Sequence, residues 1–193
     1  MSYLSETEIA DIQKNVRLLS IKEIGDVSQY PFNSSIEEYN DFLKTAKCFH
    51  DLNISKTFFL IHKVTNELLG YMTLAADSIK LTEEEKENHD INEVPYASVP
   101  ALKIGKLAVN KFVGKAAKRK GYGSFLLDMA RAFAFQMNEL GVACRFITVD
   151  ADIEYNEETP CFYKKNGFVE NLSNKNRNAK HTISMRKDIF EEN

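Results

Sequence analysis

The sequence predicts an α/β protein built on a mixed, mostly antiparallel central sheet with helices on both faces. Three observations lead there. Strand-like segments outnumber helical ones before the middle of the chain. A strand–helix–strand unit then follows, Ala101–Val109, Gly123–Leu140 and Ala143–Asp150, and such a unit closes as a right-handed parallel crossover. No internal repeat, low-complexity tract or linker interrupts the 193 residues, so one domain spanning 1–193 is expected.

The elements can be taken in order. Residues 1–12 read as a weakly ordered or short helical lead-in, and Val16–Ile24 (VRLLSIKEI) as a first strand. Pro31–Ser35 is turn chemistry. Ser34 or Ser35, with Glu37 or Glu38 three residues on, makes a capping-box pattern. The helix it opens runs to about His50. Ile36, Tyr39, Phe42, Leu43, Ala46 and Phe49 step along it by three and four, as a buried stripe does. Lys56–Val64 and Leu68–Leu81 flank Thr65-Asn66-Glu67 and predict an antiparallel hairpin. Gly70 marks either a bulge or a close backbone approach. Thr82–Pro100 begins with an acidic run, EEEKENHD, and ends extended and proline-marked. It reads as a surface loop with room for a helical start, either a substrate-facing lid or a tolerated insertion.

The helix Gly123–Leu140 carries Leu126, Ala130, Phe133, Met137 and Leu140 on one face, and Gly141 ends it. Ala143–Asp150 is a strand of the buried type. Asn156–Asn166 forms a short helix that stops at Gly167. Phe168–Asn171 and Thr182–Arg186 close the chain as paired strands across a polar loop.

Composition excludes several classes. A hydrophobic share of 44% with 27% charged residues is that of an ordinary globular chain. The net charge of -3 gives no overall pull toward nucleic acid, so any such attraction must be local. Cys48, Cys144 and Cys161 stand apart, as do His50, His62, His89 and His181. This argues against a disulfide framework and against zinc-ligand spacing. No apolar run approaches the ~20 residues that span a bilayer, and the opening MSYLSETEIADIQK is unlike a signal peptide. A cytoplasmic protein away from membranes is expected.

The chemistry concentrates in Leu107–Leu127. A strand ends at Val109, and a loop follows with five basic residues, Lys111, Lys115, Lys118, Arg119 and Lys120, and no acidic one. Gly121 and Gly123 stand where the loop becomes helix. The first N–H groups of a helix have no internal partner and carry partial positive charge, and glycine lets the backbone come close to an anion. Strand, basic loop and helix mouth together make a candidate pyrophosphate cradle. The rival reading is a solvated basic loop ending in a glycine turn.

These residues resemble the GNAT superfamily of acetyl-CoA-dependent N-acetyltransferases. That family carries Gln/Arg-x-x-Gly-x-Gly/Ala after a strand often reading Leu-Ala-Val. Here Leu107-Ala108-Val109 precedes Lys118-Arg119-Lys120-Gly121-Tyr122-Gly123. A second family motif, Asn-x-x-Ala-x-x-Phe-Tyr-x-x-x-Gly-Phe, is similar to Asn156 through Phe162-Tyr163 to Gly167-Phe168. The likeness is sharp over about Ala101–Phe168 and diffuse before it.

The resemblance implies a set of roles. Backbone N–H groups of Tyr122, Gly123 and Ser124, with neighbours from Arg119 on, would hold the pyrophosphate of coenzyme A. Leu107–Val109 would pair with the pantetheine arm and offer an N–H to the thioester carbonyl. Asn156 matches a cofactor-contacting position. Tyr163 matches the tyrosine that protonates the departing thiolate, and a phenol with a pKa of about 10 holds its proton at neutral pH.

The chain also departs from the pattern. Lys118 replaces Gln or Arg and lacks a planar fork, with Arg119 next door as a substitute. The loop from Val109 to Gly121 is about four residues longer than the family's. Rival structural readings stand beside these roles: Tyr163 as a packed ring beside Phe162, Asn156 as an N-cap, Cys161 as a buried small hydrophobe, and His62 as structural. No general base is assigned.

The expectation is therefore direct acetyl transfer from acetyl-CoA to a primary amine, with no acyl-enzyme. Lys103–Val109, the Arg131-bearing helix and Val149-Asp150-Ala151 look like bacterial toxin acetyltransferases. Those act on the amino acid of charged tRNA and pair with a DNA-binding antitoxin. Dimers are common among proteins resembling this one. The rival classes are a catalytically silent CoA-binding module and another kind of nucleotide-binding protein. The latter is disfavoured because the loop has neither a P-loop Gly-Lys-Ser/Thr nor a Rossmann turn.

Overall fold

The computed structural model describes residues 3–174 and 181–191. Its elements are α1 (Glu6–Asn15), β1 (Val16–Ser20), α2 (Ile21–Ile24), α3 (Glu37–Asp51), β2 (Lys56–His62), β3 (Leu68–Lys80), α4 (Glu83–Glu87), β4 (Ser98–Val109), α5 (Tyr122–Glu139), β5 (Phe146–Asp152), α6 (Thr159–Lys165), β6 (Val169–Glu170) and β7 (Thr182–Asp188). The strands order as β1-β2-β3-β4-β5-β7-β6. β1 with β2, β2 with β3, β5 with β7 and β6 with β7 pair antiparallel, and β4 with β5 pairs parallel. That is the mixed, mostly antiparallel sheet the sequence predicts. Part of the expected polar loop after Asn171 lies outside the described residues.

The fold divides into two compact units, one of Leu4–Ala75 with Gly105–Met129, the other of 76–104 with 130–193 and the first three residues. β3, β4 and α5 each run through both.

In the first unit, Tyr71 stacks on Phe42 of α3 (5.8 Å) and donates to the Tyr39 carbonyl at 2.7 Å. Its neighbour Gly70 points the other way, where a Cβ would come within 3.3 Å of Leu126 of α5. Successive strand residues face opposite sides, so α3 and α5 cover opposite faces of this part of the sheet. Gly70 combines both features the sequence left open. The β2–β3 register slips beside it, Leu60↔Gly70 being followed by Ile61↔Leu68, and a Cβ there would meet the Ala108 carbonyl oxygen at 2.7 Å. Gly70→Ala is expected to cost about 1–3 kcal/mol, the range for overpacking, read as a lowered urea midpoint at unchanged slope.

Some local readings are corrected. The first strand stops at Ser20, because Ser20 and Glu23 form a capping box that opens α2. The lead-in is a full helix, with Ser5 and Glu8 as its capping box. α3 has Ile36 at its N-cap with no side-chain cap; Ser34 bonds instead to Ile36 O and Asn40 Oδ1. Phe49 is exposed.

In the second unit, EEEKENHD is not a free acidic surface. Thr82 caps α4, and Glu85, Lys86 and His89 are buried. Glu85 accepts from Arg186 Nη1 (2.6 Å), Leu172 N (2.7 Å) and Thr82 N (2.8 Å). Arg186 Nε faces His89 Nε2 at 3.4 Å. An arginine nitrogen can only donate, so the ring proton sits on Nδ1. That nitrogen lies 3.2 Å from Asp188 Oδ2 and 3.1 Å from Glu191 Oε1. The three ligand-type atoms cluster within 4.8 Å of one another, but Arg145, 2.7 Å from Asp188, already supplies positive charge there.

Burial pushes the Asp188 carboxyl up, and hydrogen bonds from His89, the Phe190 amide and Arg145 outweigh it, so the net direction is down. A depressed folded value stabilises above the unfolded one, about 3.9, and that stability is lost as pH falls through the folded value. Asp188→Asn is expected to flatten the decline in unfolding free energy below about pH 4, measured by urea titration at stepped pH.

Candidate functional site

β4 reaches the loop through Asn110, which sequence reasoning missed. It is buried, and its amide donates to Leu68 O (2.8 Å) and Pro31 O (3.0 Å). Its oxygen accepts from Asn33 N (3.2 Å) and Phe112 N (3.1 Å). Four bonds from one side chain fix where β4 stops. The lengthened loop then folds back. The Gly114 amide donates to Glu67 Oε1 at 2.6 Å, Ala117 N closes a turn on Gly114 O at 3.0 Å, and the Tyr122 hydroxyl donates to Ala117 O at 2.7 Å. The Thr65 hydroxyl and the Gly114 amide hold the Glu67 carboxyl below its usual range. Burial pushes the Tyr122 phenol up, so it stays a proton donor to the loop.

This scaffold delivers the chain to Gly121 at φ +98, and α5 starts at the next residue. Phe125 N reaches back to Gly121 O at 2.9 Å. The N–H groups of Tyr122, Gly123 and Ser124 have no side-chain cap among the described residues, and the first turn holds no acidic residue. Ser124 is buried and Gly123 half-buried. The helix mouth therefore presents three donors and uncompensated partial positive charge.

A Cβ on Gly121 would also sit 2.9 Å from Leu4 Cδ2. Gly121→Ala is expected to weaken binding of a diphosphate-bearing ligand at this helix start by about tenfold or more, since one lost charge-assisted hydrogen bond suffices for that. Isothermal titration calorimetry on folded variant protein checks it.

The basic residues separate. Arg119 pairs with Asp11 of α1 at 2.5 Å. Lys118 and Lys120 are exposed and make no ion pair among the described residues, as do Lys111 and Lys115. Four exposed lysines thus lie on the loop that leads to the helix mouth.

Leu107 and Val109 are half-buried on β4, and Ala108 is buried. The β4–β5 ladder runs from Ala101↔Phe146 to Ile104↔Val149 and stops there, although β4 continues to Val109 and β5 to Asp152.

Asn156 is exposed. Its Oδ1 accepts from Glu158 N at 3.0 Å and its carbonyl from Thr159 N at 3.0 Å. It makes the turn into α6 rather than the N-cap itself, which is Glu158. Pro160 and Tyr163, three apart on α6, form its buried face. The Tyr163 ring meets Phe162 at 5.1 Å and Phe168 at 5.5 Å, both edge-on. Gly167 at φ +82 ends the helix and lets Phe168 N return to Tyr163 O at 3.1 Å. Cys161 falls on the opposite side and is exposed, which corrects its reading as a buried hydrophobe. His62 is structural: its Nδ1 faces the Thr65 amide at 3.2 Å.

No family model matches the sequence, and no curated protein matches it. Solved structures do. AtaT complexed with acetyl-methionyl-tRNAfMet is 19% identical over 88% of this chain and 94% of that chain, at TM-score 0.65. A KacT mutant is 22% identical over 88% and 94%, at TM-score 0.64. AtaTR bound with AcCoA is 21% identical over 89% and 93%, at TM-score 0.62. The chain has the GNAT-like acyl-CoA N-acyltransferase fold. No helix among the described residues is long and apolar enough to cross a membrane.

Proposed function

We propose that this chain is an N-acetyltransferase that moves the acetyl group of acetyl-CoA to a primary amine by direct attack. The observation that carries this is the uncapped start of α5, with three backbone donors at a positive-φ glycine and no acid in its first turn. Tyr122, Gly123 and Ser124 hold the cofactor's pyrophosphate, and Lys118 and Lys120 add charge around it. Arg119 and Gly121 shape the mouth. Leu107, Ala108 and Val109 offer main-chain groups to the pantetheine arm, where β4 runs past its last β5 partner. Asn156 shapes the turn into α6. When the neutral amine nitrogen bonds to the acetyl carbon and the carbon–sulfur bond breaks, Tyr163 gives its hydroxyl proton to the thiolate, and the proton shed by the nitrogen returns through water to the tyrosinate. The likeness to a solved structure bound with AcCoA supports the cofactor. β3, β4 and α5 each run through both compact units, which supports one domain over 1–193.

Thiol release measured over a panel of amines tests the reading. Release that requires the amine, with intersecting initial-rate lines and no acetylated protein, is expected. Parallel lines with a trapped acyl-protein would contradict it, and tight acetyl-CoA binding without release for any acceptor would favour the silent binding module.

A second reading concerns the acceptor. AtaT was solved with an acetylated aminoacyl-tRNA and, elsewhere, with the C-terminus of its antitoxin AtaR. The exposed lysines Lys111, Lys115, Lys118 and Lys120 suit an RNA backbone. Acetylation of charged tRNA in preference to the free amino acid amide would select this reading. Equal rates on small amines, and unaltered translation on expression, would reject it.

A further inference from the structure

Of the five basic residues between β4 and α5, Arg119 alone has an acid for a partner among the described residues. That acid comes from 108 residues away, Asp11 of α1. The contact lies beside the helix mouth. Asp11 precedes Ile12, whose Cδ1 is 3.6 Å from where a Gly121 Cβ would stand, with Leu4 Cδ2 at 2.9 Å. Arg119 Nε lies along the backbone toward the mouth, 3.4 Å from the Lys120 carbonyl oxygen. Burial raises the Tyr122 phenol, and after it Arg119 and Asp11 act on that phenol in opposite directions, so both charges lie within reach of the first residue of α5. All these residues belong to one compact unit.

The pair is loosely made. One guanidinium nitrogen, Nη1, donates to one carboxylate oxygen, Oδ2, and Nη2 has no acceptor among the described residues. The other Asp11 oxygen faces Asn15 Nδ2 at 3.5 Å. The Asp11 side chain is 62% exposed and that of Arg119 27%. An exposed, single-point ion pair contributes little net, because water serves both partners nearly as well. The planar fork of an arginine matches the oxygens of a phosphate better than one carboxylate oxygen does. The first turn of α5 holds no acid of its own. Asp11 therefore brings a carboxylate to the edge of a mouth that otherwise offers only donors and positive charge.

We propose that Asp11 is a placeholder for a ligand's phosphate. With the mouth empty it holds the Arg119 guanidinium. A diphosphate arriving at the start of α5 takes the guanidinium over with two donors, and Asp11 is left to water. Leu4 and Ile12 keep α1 packed on Gly121 in both states. Asp11 is thus a positioning residue that acts through Arg119. It keeps the fork ordered beside the mouth, and the ligand's affinity is lowered by the strength of that hold. The proposal rests on the reading of the α5 start as a diphosphate cradle.

The test is a calorimetric titration of the full chain with inorganic pyrophosphate, free of metal ions and at fixed ionic strength. It compares the parent, Asp11→Asn, Arg119→Gln and the double variant. Both side chains reach solvent, so the fold is expected to hold, with urea midpoints near the parent's. Asp11→Asn is expected to bind pyrophosphate about two- to fivefold tighter, the factor to which the worth of an exposed ion pair converts. Arg119→Gln is expected to bind it about tenfold weaker, having lost a charge-assisted fork. In the Arg119→Gln background, Asp11→Asn should bring no further gain, because the hold it relieves is already gone. An unchanged or weakened affinity in Asp11→Asn would overturn the proposal. So would an equal gain with and without Arg119, the mark of a plain field effect. Either result leaves the cradle standing, since the parent still binds; a parent that takes up no pyrophosphate would sink cradle and proposal together.

Discussion

Tyr163→Phe is expected to lower kcat by roughly 10²–10⁴-fold, the usual worth of a positioned acid, with the affinity for acetyl-CoA unchanged. The substitution removes one oxygen and keeps the ring. That ring is 6% exposed and packs edge-on against Phe162 and Phe168, so folding should survive. The two readings of this tyrosine part here. If it only packs, phenylalanine is nearly isosteric and turnover stays within a factor of two or so of the parent, about 0.4 kcal/mol in barrier. If it protonates the thiolate, kcat and kcat/KM fall together, the mark of an interaction made only in the transition state. Stopped-time thiol release at saturating acetyl-CoA reads the difference.

Glu85→Ala is expected to destabilise the fold by about 3–5 kcal/mol, the range for stripping one partner from a buried ion pair. Glu85 is fully buried and takes three donors, from Arg186, Leu172 and Thr82. Removing it leaves the Arg186 guanidinium, itself 4% exposed, without its carboxylate. Burial already pulls that guanidinium down from its usual range, with Glu85 the main group opposing it. A typical domain holds only about 5–15 kcal/mol in all, so the change takes a large share. Glu85→Gln keeps the acceptor oxygen and should cost less than the alanine. Urea unfolding of both variants checks the order; a loss under about 1 kcal/mol for the alanine would mean that water reaches Arg186 in place of the carboxylate.

The two outcomes show where sequence carries information and where it does not. The path from β4 through the loop to α5 was legible because its signals are local. An apolar strand, a run of cations and a positive-φ glycine lie within about twenty residues, and each constrains its own backbone. α6 was legible for the same reason, since Pro160, Tyr163 and Gly167 mark its start, face and stop.

The Glu85 network was not. Its partners stand 87 and 101 residues away, and EEEKENHD taken alone is what a solvated helix looks like. A signal was present nonetheless: Thr82 and Glu85 form a capping box, as do Ser20 and Glu23. Reading both would have given α4 outright and ended the first strand at Ser20, where the apolar pattern of VRLLSIKEI suggested continuation. The partners of Asn110 and Arg119 were not legible for the same long-range reason. One is fixed by carbonyls 42 and 79 residues away, the other by an aspartate 108 residues away. Cys161 failed for a local one, because a short helix with Pro160 and Tyr163 inward must turn the next residue out.

The central claim is that the start of α5 grips the diphosphate of a thioester carrier. Isothermal titration calorimetry with acetyl-CoA, paired with a melting curve, tests it most directly. A saturable heat at one site per chain is predicted, with a melting temperature that climbs with ligand as linkage requires. Saturating acetyl-CoA that produces no heat and leaves the melting temperature where it was would contradict it.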